Sequence, residues 1–429
     1  MGILLKNAKQ LADNGQLIDC EVLIQQGIIS EINTKIEAAN QVDRIIDCRG
    51  KLLTPGFIDV HIHLREPGGE HKETIKTGTK AAARGGYTTV CAMPNTNPVP
   101  DCETAITSLL KKIEQDAVVR VLPYASITKG LKGEELTNIE QLSKLPIFAF
   151  TDDGVGIQTA DAMLQAMKTA AKNGKAIVAH CEDNTIVYGG VVHDGDVSKR
   201  LKLPGIPSIT ESVQIARDVL LAEATGCHYH VCHVSTKESV RIIRDAKKAG
   251  IPVSAEVTPH HLLLNEDTVL EDDTNYKMNP PLRSKEDQEA LLEGLLDGTI
   301  DFVATDHAPH SEDEKNQGML KAPFGIVGLE TAFPLLYSKL VKSGKITLKQ
   351  LIDWLTIKPA NVFNLPYGRL EEQAFADLTL IDLEREIKID KHSFYSKGRN
   401  TPFHEWSVMG TPVLTICNGS IVYEEDTDV

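Results

Sequence analysis

The stretch Leu52-Leu53-Thr54-Pro55-Gly56-Phe57-Ile58-Asp59-Val60-His61-Ile62-His63 joins an apolar run to two histidines. An apolar run of this kind predicts a β-strand, and on a strand the side chains of residues i and i+2 point to the same face. His61 and His63 can therefore present two imidazoles to one metal ion. One such pair is weak evidence, because a lone histidine at a strand end is more often a hydrogen-bonded core residue.

Residues of metal-ligand type recur near the ends of four further apolar runs. They stand in Thr151-Asp152-Asp153, Ala179-His180-Cys181-Glu182, Cys232-His233 and Thr305-Asp306-His307. Chance would require several independent coincidences, so the set as a whole favours a metal centre over scattered core residues. The candidate ligands are His61, His63, Asp152 or Asp153, His180, His233 and Asp306. Only one of the adjacent aspartates can face inward, and their spacing leaves both open.

Eight apolar runs rich in β-branched residues follow residue 51 and alternate with helical patterns. The runs are Phe57–His61, Thr88–Ala92, Val118–Ala125, Ile147–Thr151, Ala176–His180, His228–Val234, Pro252–Val257 and Phe302–Asp306. The helical patterns include Ala160–Asn173, Glu211–Thr225, Lys237–Ala249 and Lys285–Leu296. Strand–helix repetition predicts a parallel sheet, and eight strands predict a closed (β/α)8 barrel of the TIM type. The active site of such a barrel lies at the C-terminal strand ends, where every candidate ligand stands.

Both ends of the chain have hairpin patterns instead of this alternation. Asn14-Gly15 and Asn418-Gly419 are hairpin signals, and Ala376–Asp382 has a strand pattern. We therefore predict a small β-sandwich domain built from residues 1–50 and 366–429. The barrel domain, residues 51–365, is inserted between its two halves.

Composition excludes several classes of protein. The 429 residues carry a formal net charge of −15, whereas a nucleic-acid or anionic-membrane surface needs clustered lysine and arginine. Eight cysteines without a CxxC pair are typical of reduced, buried thiols in a cytosolic protein. No segment has the apolar length of a signal peptide or a membrane span, so we expect a soluble cytoplasmic protein.

Four histidines and two aspartates form a nitrogen and oxygen ligand set. Such a set suits Zn²⁺, with Mn²⁺ or Co²⁺ as substitutes. Six ligands exceed the needs of one tetrahedral site, whereas two ions that share a carboxylate use all of them. Ions of this kind lower the pKa of a water toward about 7, and an aspartate beside it can pass the proton to a leaving nitrogen. Asp306 is the best candidate for that aspartate, because it stands alone at the end of the last strand.

Other polar residues on the same edge are candidates for substrate binding. Arg65, just past the first strand, can fork onto a carboxylate. Asn95, Asn279 and His310 follow later strands, although each asparagine is equally typical of a turn beside proline. The polar segment Ser311–Gly318 is a candidate for a mobile loop over the site, with an ordinary solvated loop as the alternative.

Two further histidines have a simpler interpretation. His228 and His230 alternate with Tyr229 and Val231 in the sixth barrel run. We predict that both serve as packing residues. Four other residues near the strand ends are also not assigned as ligands. We interpret His260-His261, His307 and Glu182 as loop residues or as supports of the ligands.

Seven segments together resemble the motifs of dihydroorotases, within the amidohydrolase superfamily. In family order they are Pro55–Gly68, Met93–Thr96, Asp152–Gly154, His180–Asp183, Cys232–Ser235, Asn279–Arg283 and Ala304–His310. The resemblance covers essentially the whole chain and is to the bacterial class I type. It departs at Gln373-Ala374-Phe375, where a glycine is usual, within the predicted β-domain.

The resemblance implies a role for each matching residue. It implies one zinc ion on His61, His63 and Asp306 and a second on His180 and His233, with Asp153 bridging. Many relatives have a carboxylated lysine at the bridging position. The aspartate here leaves open whether the site binds two ions or one tightly bound ion. Substrate contacts are implied for His63, for Arg65, Asn95 and His310 on a carboxylate, and for Asn279 and the Phe324-Gly325 backbone on the ring.

The implied activity is the reversible cyclisation of N-carbamoyl-L-aspartate to L-dihydroorotate, in pyrimidine (UMP) biosynthesis. One alternative is a hydantoinase-like or allantoinase-like cyclic amidase, which Arg65 and the missing lysine disfavour. Another is a non-catalytic subunit of an aspartate transcarbamoylase complex, which the full ligand set disfavours. The expected partners are the small-molecule substrate, a second copy of the chain and aspartate transcarbamoylase, with no nucleic acid or membrane.

Overall fold

The computed structural model describes residues 2–37 and 42–425. Its strands, β1 to β18 in chain order, are Gly2–Leu11, Leu17–Gln25, Ile28–Asn33, Arg44–Asp47, Leu52–Pro55, Phe57–Ile62, Tyr87–Ala92, Arg120–Pro123, Phe150–Thr151, Ile177–Ala179, Val192–His193, Gly205–Ile206, Tyr229–Val231, Val253–Val257, Phe302–Val303, Leu378–Lys388, Ser407–Cys417 and Ser420–Glu424. Its α-helices, α1 to α13, are Ile75–Arg84, Glu103–Asp116, Ile139–Leu142, Ala160–Lys172, Asp196–Leu201, Ile209–Thr225, Lys237–Lys248, Pro259–Leu263, Lys285–Leu296, Glu312–Lys315, Ala332–Leu336, Leu348–Leu355 and Ile357–Val362. Within these ranges no helix is long and apolar enough to cross a membrane.

The strands β6 to β10 and β13 to β15 form a closed parallel barrel. β6, β7 and β8 pair in that order, and so do β9, β10, β13, β14 and β15. Two parallel bridges join these groups, one between Ala125 and Phe150 and one between Ile62 and His307. One large apolar cluster contains side chains of the strands and of the surrounding helices. The predicted (β/α)8 barrel is therefore confirmed.

Hydroxyl side chains begin several of the barrel helices. Thr74, Thr159 and Thr236 each accept a hydrogen bond from the backbone N–H three residues ahead, at the starts of α1, α4 and α7. A threonine oxygen in this position satisfies a donor that the first helical turn leaves free. The four helical patterns of the sequence agree with α4, α6, α7 and α9 to within two residues, and α4, α7 and α9 begin with such a cap.

Strands from both termini form one further sheet. Its order is β18-β17-β16-β5-β1-β2-β3, with β4 beside β1. The hairpin turns at its two ends are in contact, because a Cβ atom on Gly419 would lie 2.7 Å from the Cα atom of Gly27. One apolar cluster fills the space between the two ends of the sheet and includes Val22, Leu378 and Leu414. The sheet thus folds over its own core as a small β-sandwich.

The segment Leu52–Pro55 differs from the sequence interpretation, which places it at the start of the barrel domain. It pairs antiparallel with β16 and belongs to the terminal sheet. The run divides at Gly56, whose N–H donates to the Asp377 carbonyl and where a Cβ atom would lie 2.2 Å from the Thr88 side chain. Of the predicted terminal domain, residues 1, 38–41 and 426–429 lie outside the described ranges.

Candidate metal centre and substrate cavity

Six side chains converge at the C-terminal end of the barrel. They are His61 and His63 at the end of β6, Asp153 after β9, His180 after β10, His233 after β13 and Asp306 after β15. All six are buried, and none of their side chains is more than 10% exposed. The parallel barrel brings these strand ends together, so residues far apart in the chain become neighbours.

The first part of the centre joins β6 to the last barrel strand. The Nε2 atom of His63 lies 3.0 Å from an Asp306 carboxylate oxygen. The Nε2 atom of His61 lies 3.4 Å from the same oxygen and also 3.4 Å from Asp153 Oδ1. His61, His233 and Asp306 offer possible ligand atoms that all lie within 4.8 Å of one another.

The second part of the centre consists of His180, His233 and Asp153. The Nδ1 atom of His180 is 3.0 Å from His233 Nε2. These two nitrogens lie 3.9 Å and 3.8 Å from Asp153 Oδ1. Possible ligand atoms of the three residues lie within 4.8 Å of one another, and Asp153 therefore stands between the two histidine pairs.

The structure shows which of the two adjacent aspartates faces the centre, a choice that their spacing in the sequence left open. Asp152 turns away from the centre and accepts hydrogen bonds from the backbone N–H groups of Ile127 and Thr128, at 2.7 Å and 3.0 Å, and from the Thr128 hydroxyl. Asp153 points to the histidines. Asp152 thus holds the loop after β8, while Asp153 is the carboxylate available to an ion.

Hydrogen bonds on the far side of each first-strand imidazole fix its orientation. His61 Nδ1–H donates to Glu256 Oε1 at 2.6 Å, and His63 Nδ1–H donates to Asn95 Oδ1 at 2.6 Å. Both rings therefore direct their Nε2 atoms toward the centre. Support of a metal-binding imidazole by a carboxylate or amide is a common feature of metal sites.

Sequence reasoning missed Glu256. It is the penultimate residue of β14 and is 0% exposed, and its second oxygen lies 3.1 Å from His230 Nε2. A glutamate inside the mainly apolar run Pro252–Val257 was the available signal, because a buried charge needs a partner. His230 packs against Phe302 as predicted, at a ring separation of 5.3 Å, and it also supports Glu256.

The chemistry of the centre fits a divalent cation. His61 Nε2 and Asp153 Oδ1 are buried, face each other, and have no hydrogen-bond partner among the described residues. Burial alone would raise the pKa of Asp153, but the imidazoles of His61, His233 and His63 lower it well below its usual range. Burial likewise opposes ionisation of Asp306, and His61 and His63 outweigh it and lower its pKa. Two ionised carboxylates among four imidazoles are a ligand set for metal.

The backbone is strained at three residues of the site. Arg65, His233 and Asp306 have positive φ angles of 60°, 31° and 48°. Residues other than glycine rarely adopt positive φ angles, and each such residue costs on the order of 1–3 kcal/mol of folding free energy. Strain of this kind concentrates at functional sites, where it directs side chains into the cavity.

A cavity of about 330 Å³ opens beside the centre. The predicted substrate contacts all line it: His63, Arg65, Asn95, Asn279, His310, Phe324 and Gly325. The Arg65 guanidinium lies 3.3 Å from His310 Nε2 and donates to the Pro309 carbonyl at 3.2 Å. Arg65 therefore brings a positive charge to the same cavity that the candidate metal ligands line.

The two asparagines are already engaged by protein groups. Asn95 Nδ2 donates to the Asp153 carbonyl at 2.7 Å, in addition to its contact with His63. Asn279 Nδ2 donates to Glu182 Oε2 at 2.8 Å. Each amide nitrogen retains a second N–H for which no bond to a described residue is seen. Asn95 thus orients a candidate ligand as well as lining the cavity.

The segment Ser311–Gly318 contains a short helix, α10. Ser311 and Glu314 form a reciprocal capping box at its start. Glu314 pairs with Lys72 at 2.9 Å, and Lys315 at the helix end is buried. The loop is thus tied to its surroundings in this structure, while closure over a substrate stays a prediction.

Comparison with protein families matches residues 50–239 to a model described as dihydro-orotase-like. The chain is 63% identical to a dihydroorotase of Staphylococcus epidermidis over 423 residues, covering 99% of each chain. It is 63% identical to one of Listeria innocua, covering 98% of this chain and 99% of the relative. A dihydroorotase of Bacillus pumilus is 61% identical, with 99% of each chain covered.

Solved structures with the same fold include cyclic amidases. An L-hydantoinase (dihydropyrimidinase) from Arthrobacter aurescens superposes with a TM-score of 0.88 at 26% identity, covering 100% of this chain and 97% of the other. A D-hydantoinase superposes with a TM-score of 0.87 at 25% identity, covering 99% and 96%. These similarities extend across both the barrel and the terminal β-sandwich.

Proposed function

The chain belongs to the dihydroorotase family of metal-dependent cyclic amide hydrolases, and we propose that it interconverts N-carbamoyl-L-aspartate and L-dihydroorotate. The reaction is a step of pyrimidine biosynthesis. The observation that carries the proposal is one cavity lined by two kinds of residue. Five of the six candidate metal ligands line it, all but His61, and Arg65 and His310 line it as well. An amide can thus meet the ligands while a carboxylate meets the Arg65 cation.

We assign two Zn²⁺ ions to the six side chains as part of this proposal. His61, His63 and Asp306 would hold one ion, His180 and His233 the other, and Asp153 would lie between them. When bound, such ions supply Lewis-acid polarisation of a carbonyl and a water of lowered pKa. The unpartnered His61 Nε2 and Asp153 Oδ1 atoms support the assignment.

Asp306 is the proposed proton carrier. Its lowered pKa keeps the carboxylate ionised near neutral pH, so it can accept a proton. In ring opening Asp306 takes the proton of the attacking water and delivers it to the departing ring nitrogen. In cyclisation it removes the proton from the carbamoyl nitrogen and returns it to the leaving oxygen. The carboxylate ends each cycle as it began.

Arg65 and His310 would bind the substrate carboxylate. Burial first, and then Arg65 and neighbouring lysines, lower the pKa of His310 to about 2, so its imidazole is neutral. Its Nε2 atom lies 2.9 Å from the Phe324 carbonyl oxygen, which restricts the orientation of the ring. Arg65 supplies the charge, and a neutral hydantoin or allantoin has no ring carboxylate to use it. This contact favours dihydroorotate over the substrates in the names of the structural neighbours.

The decisive experiment follows the ultraviolet absorbance of dihydroorotate during ring opening. Metal-stripped and Zn²⁺-reconstituted protein are compared, with hydantoin and allantoin as parallel substrates. We expect zinc-dependent ring opening of dihydroorotate and little turnover of the neutral rings. Turnover of hydantoin above that of dihydroorotate would contradict the proposed substrate. A folded, metal-loaded sample without any turnover would instead favour a non-catalytic subunit.

The Asp306→Asn variant tests the proton carrier separately. The amide oxygen can still reach an ion, but it cannot accept the proton, so kcat should fall by about 10² to 10⁴. Metal analysis must accompany the assay, because Asp306 is also a proposed ligand. Near-normal turnover with full metal content would refute the assignment.

The cellular compartment and the oligomeric state are each proposed from one further observation. All eight cysteines are free and seven are buried, which supports a reducing compartment such as the cytoplasm. Ile209, Val213 and Leu220 expose an apolar face of α6, which supports a homodimer. Sedimentation equilibrium, alone and with aspartate transcarbamoylase, tests both the dimer and the proposed association.

A further inference from the structure

Lys315 is a buried cation on the substrate side of the barrel. Its side chain is 3% exposed, and its Nζ donates to the carbonyls of Lys277, Pro323 and Gly325, at 3.1 Å in each case. An ammonium group has three N–H donors, whereas a neutral amine has two. The three carbonyls match the charged form, although burial, with Lys277 adding, lowers the pKa of Lys315 to about 7. Lys315 has no ion pair with any of residues 2–37 and 42–425.

A second buried lysine, Lys277, contacts the same segment as Lys315. Lys277 is 3% exposed, and its Nζ donates to the Met319 carbonyl at 2.5 Å and lies 4.6 Å from the centre of the Phe324 ring. Its own carbonyl receives the Lys315 bond. The two side chains thus hold the segment Met319–Gly325 between them, and the described part of the chain gives neither a carboxylate partner.

This segment is a wall of the substrate cavity. Pro323, Phe324 and Gly325 line it, and the Phe324 carbonyl oxygen lies 2.9 Å from His310 Nε2. Lys315 stands directly behind that wall. Burial lowers the pKa of His310, and the charges of Arg65, Lys72 and Lys315 add to the effect, while Glu314, which pairs with Lys72 at 2.9 Å, opposes it.

We propose that Lys315 is a specificity residue, whose buried ammonium group favours ring ligands that carry a carboxylate over neutral cyclic amides. Its hydrogen bonds also position the Pro323–Gly325 wall. The inference rests on the proposed function, because it places the substrate carboxylate beside Arg65 and His310. It adds a determinant that does not touch the substrate and acts through the electrostatic potential of the cavity.

The test compares two ligands that differ only in charge. Dissociation constants of orotate and of its neutral carboxamide, orotamide, are measured by calorimetry on metal-loaded protein. The variants are Lys315→Met and the matched control Lys321→Met, which removes an exposed lysine from the same loop. Lys315→Gln replaces the first variant if thermal unfolding shows that Lys315→Met is not folded.

We expect Lys315→Met to weaken orotate binding roughly 3- to 20-fold, as for one charge acting over a short, partly buried distance. Orotamide binding should change by less than about twofold, which at 25 °C is under about 0.4 kcal/mol. Equal weakening for both ligands would assign Lys315 to packing alone and overturn the inference. Unchanged orotate binding, or the same loss in Lys321→Met, would also overturn it. Wild-type ring opening is measured in parallel, so failure of the proposed function is recognised independently.

Discussion

The Nδ1 atom of His61 lies 2.6 Å from a carboxylate oxygen of Glu256, and both side chains are 0% exposed. A carboxylate that accepts this bond turns His61 Nε2 toward the centre and makes it a stronger electron-pair donor. Glu256 is held in turn by His230, 3.1 Å from its other oxygen. The orientation of one candidate ligand thus depends on a residue 195 positions away in the chain.

Replacement of this carboxylate should weaken metal binding. Glu256→Gln keeps the shape but removes the charge, so we expect zinc affinity to fall by about 10- to 100-fold. Chelator competition measures the affinity, and excess zinc should restore much of the activity. Glu21→Gln is the matched control, since Glu21 is also buried but accepts a hydrogen bond from Ile36 in the terminal sheet. Equal affinity in the two variants would be inconsistent with the role of Glu256.

Removal of metal should destabilise the folded protein. The ligand set brings two ionised carboxylates into a buried site, and a bound ion offsets that cost. A metal at 100 times its dissociation constant stabilises the folded state by about 2.7 kcal/mol per site. Calorimetric scans should therefore show a higher Tm with zinc than with chelator. The difference should shrink in Asp153→Ala, and an unchanged difference would exclude Asp153 as a ligand.

The geometry of Arg65 predicts that lysine cannot replace it. The guanidinium donates to Pro309 through Nε and reaches His310 through Nη2, so its plane is fixed toward the cavity. Lysine keeps the charge but loses the fork. Loss of a charge-assisted contact of about 1.5–3 kcal/mol should lower kcat/KM for dihydroorotate by roughly 10- to 100-fold, mainly through KM. Wild-type kinetics in Arg65→Lys would contradict a bidentate contact.

His228 should make stability sensitive to mild acid. Burial, with His230 adding, lowers its pKa to about 4, and His228 lies 2.7 Å from the Ser254 hydroxyl. Its neutral form is favoured in the folded state, so its contribution is present above the unfolded pKa of about 6.5 and is lost as pH falls toward 4. Urea unfolding at several pH values should show a shallower decline for His228→Gln between pH 6.5 and 4. Parallel curves for the two proteins would show that His228 contributes nothing in this range.

Much of the architecture and of the site was accessible from local patterns. Strand and helix periodicity identified all eight barrel strands and four barrel helices, because these patterns depend on residues close in the chain. The same strand predictions placed five candidate ligands at strand ends, where a parallel barrel brings them together. They are His61, His63, His180, His233 and Asp306. Their proposed roles as ligands stay predictions.

Other features depend on contacts between distant segments, which only the tertiary structure decided. Asp153 faces the centre and Asp152 does not, because the loop after β8 binds Asp152 through Thr128. Leu52–Pro55 joins the terminal sheet because β16 lies beside it. Glu256 reaches His61 through the pairing of strands across the barrel, and Lys315 is buried because three backbone carbonyls surround its amine. The sequence by itself therefore determined which elements form and which residues stand at their ends. Long-range packing determined which of those side chains meet, because burial and hydrogen-bond partners arise only when the sheets close.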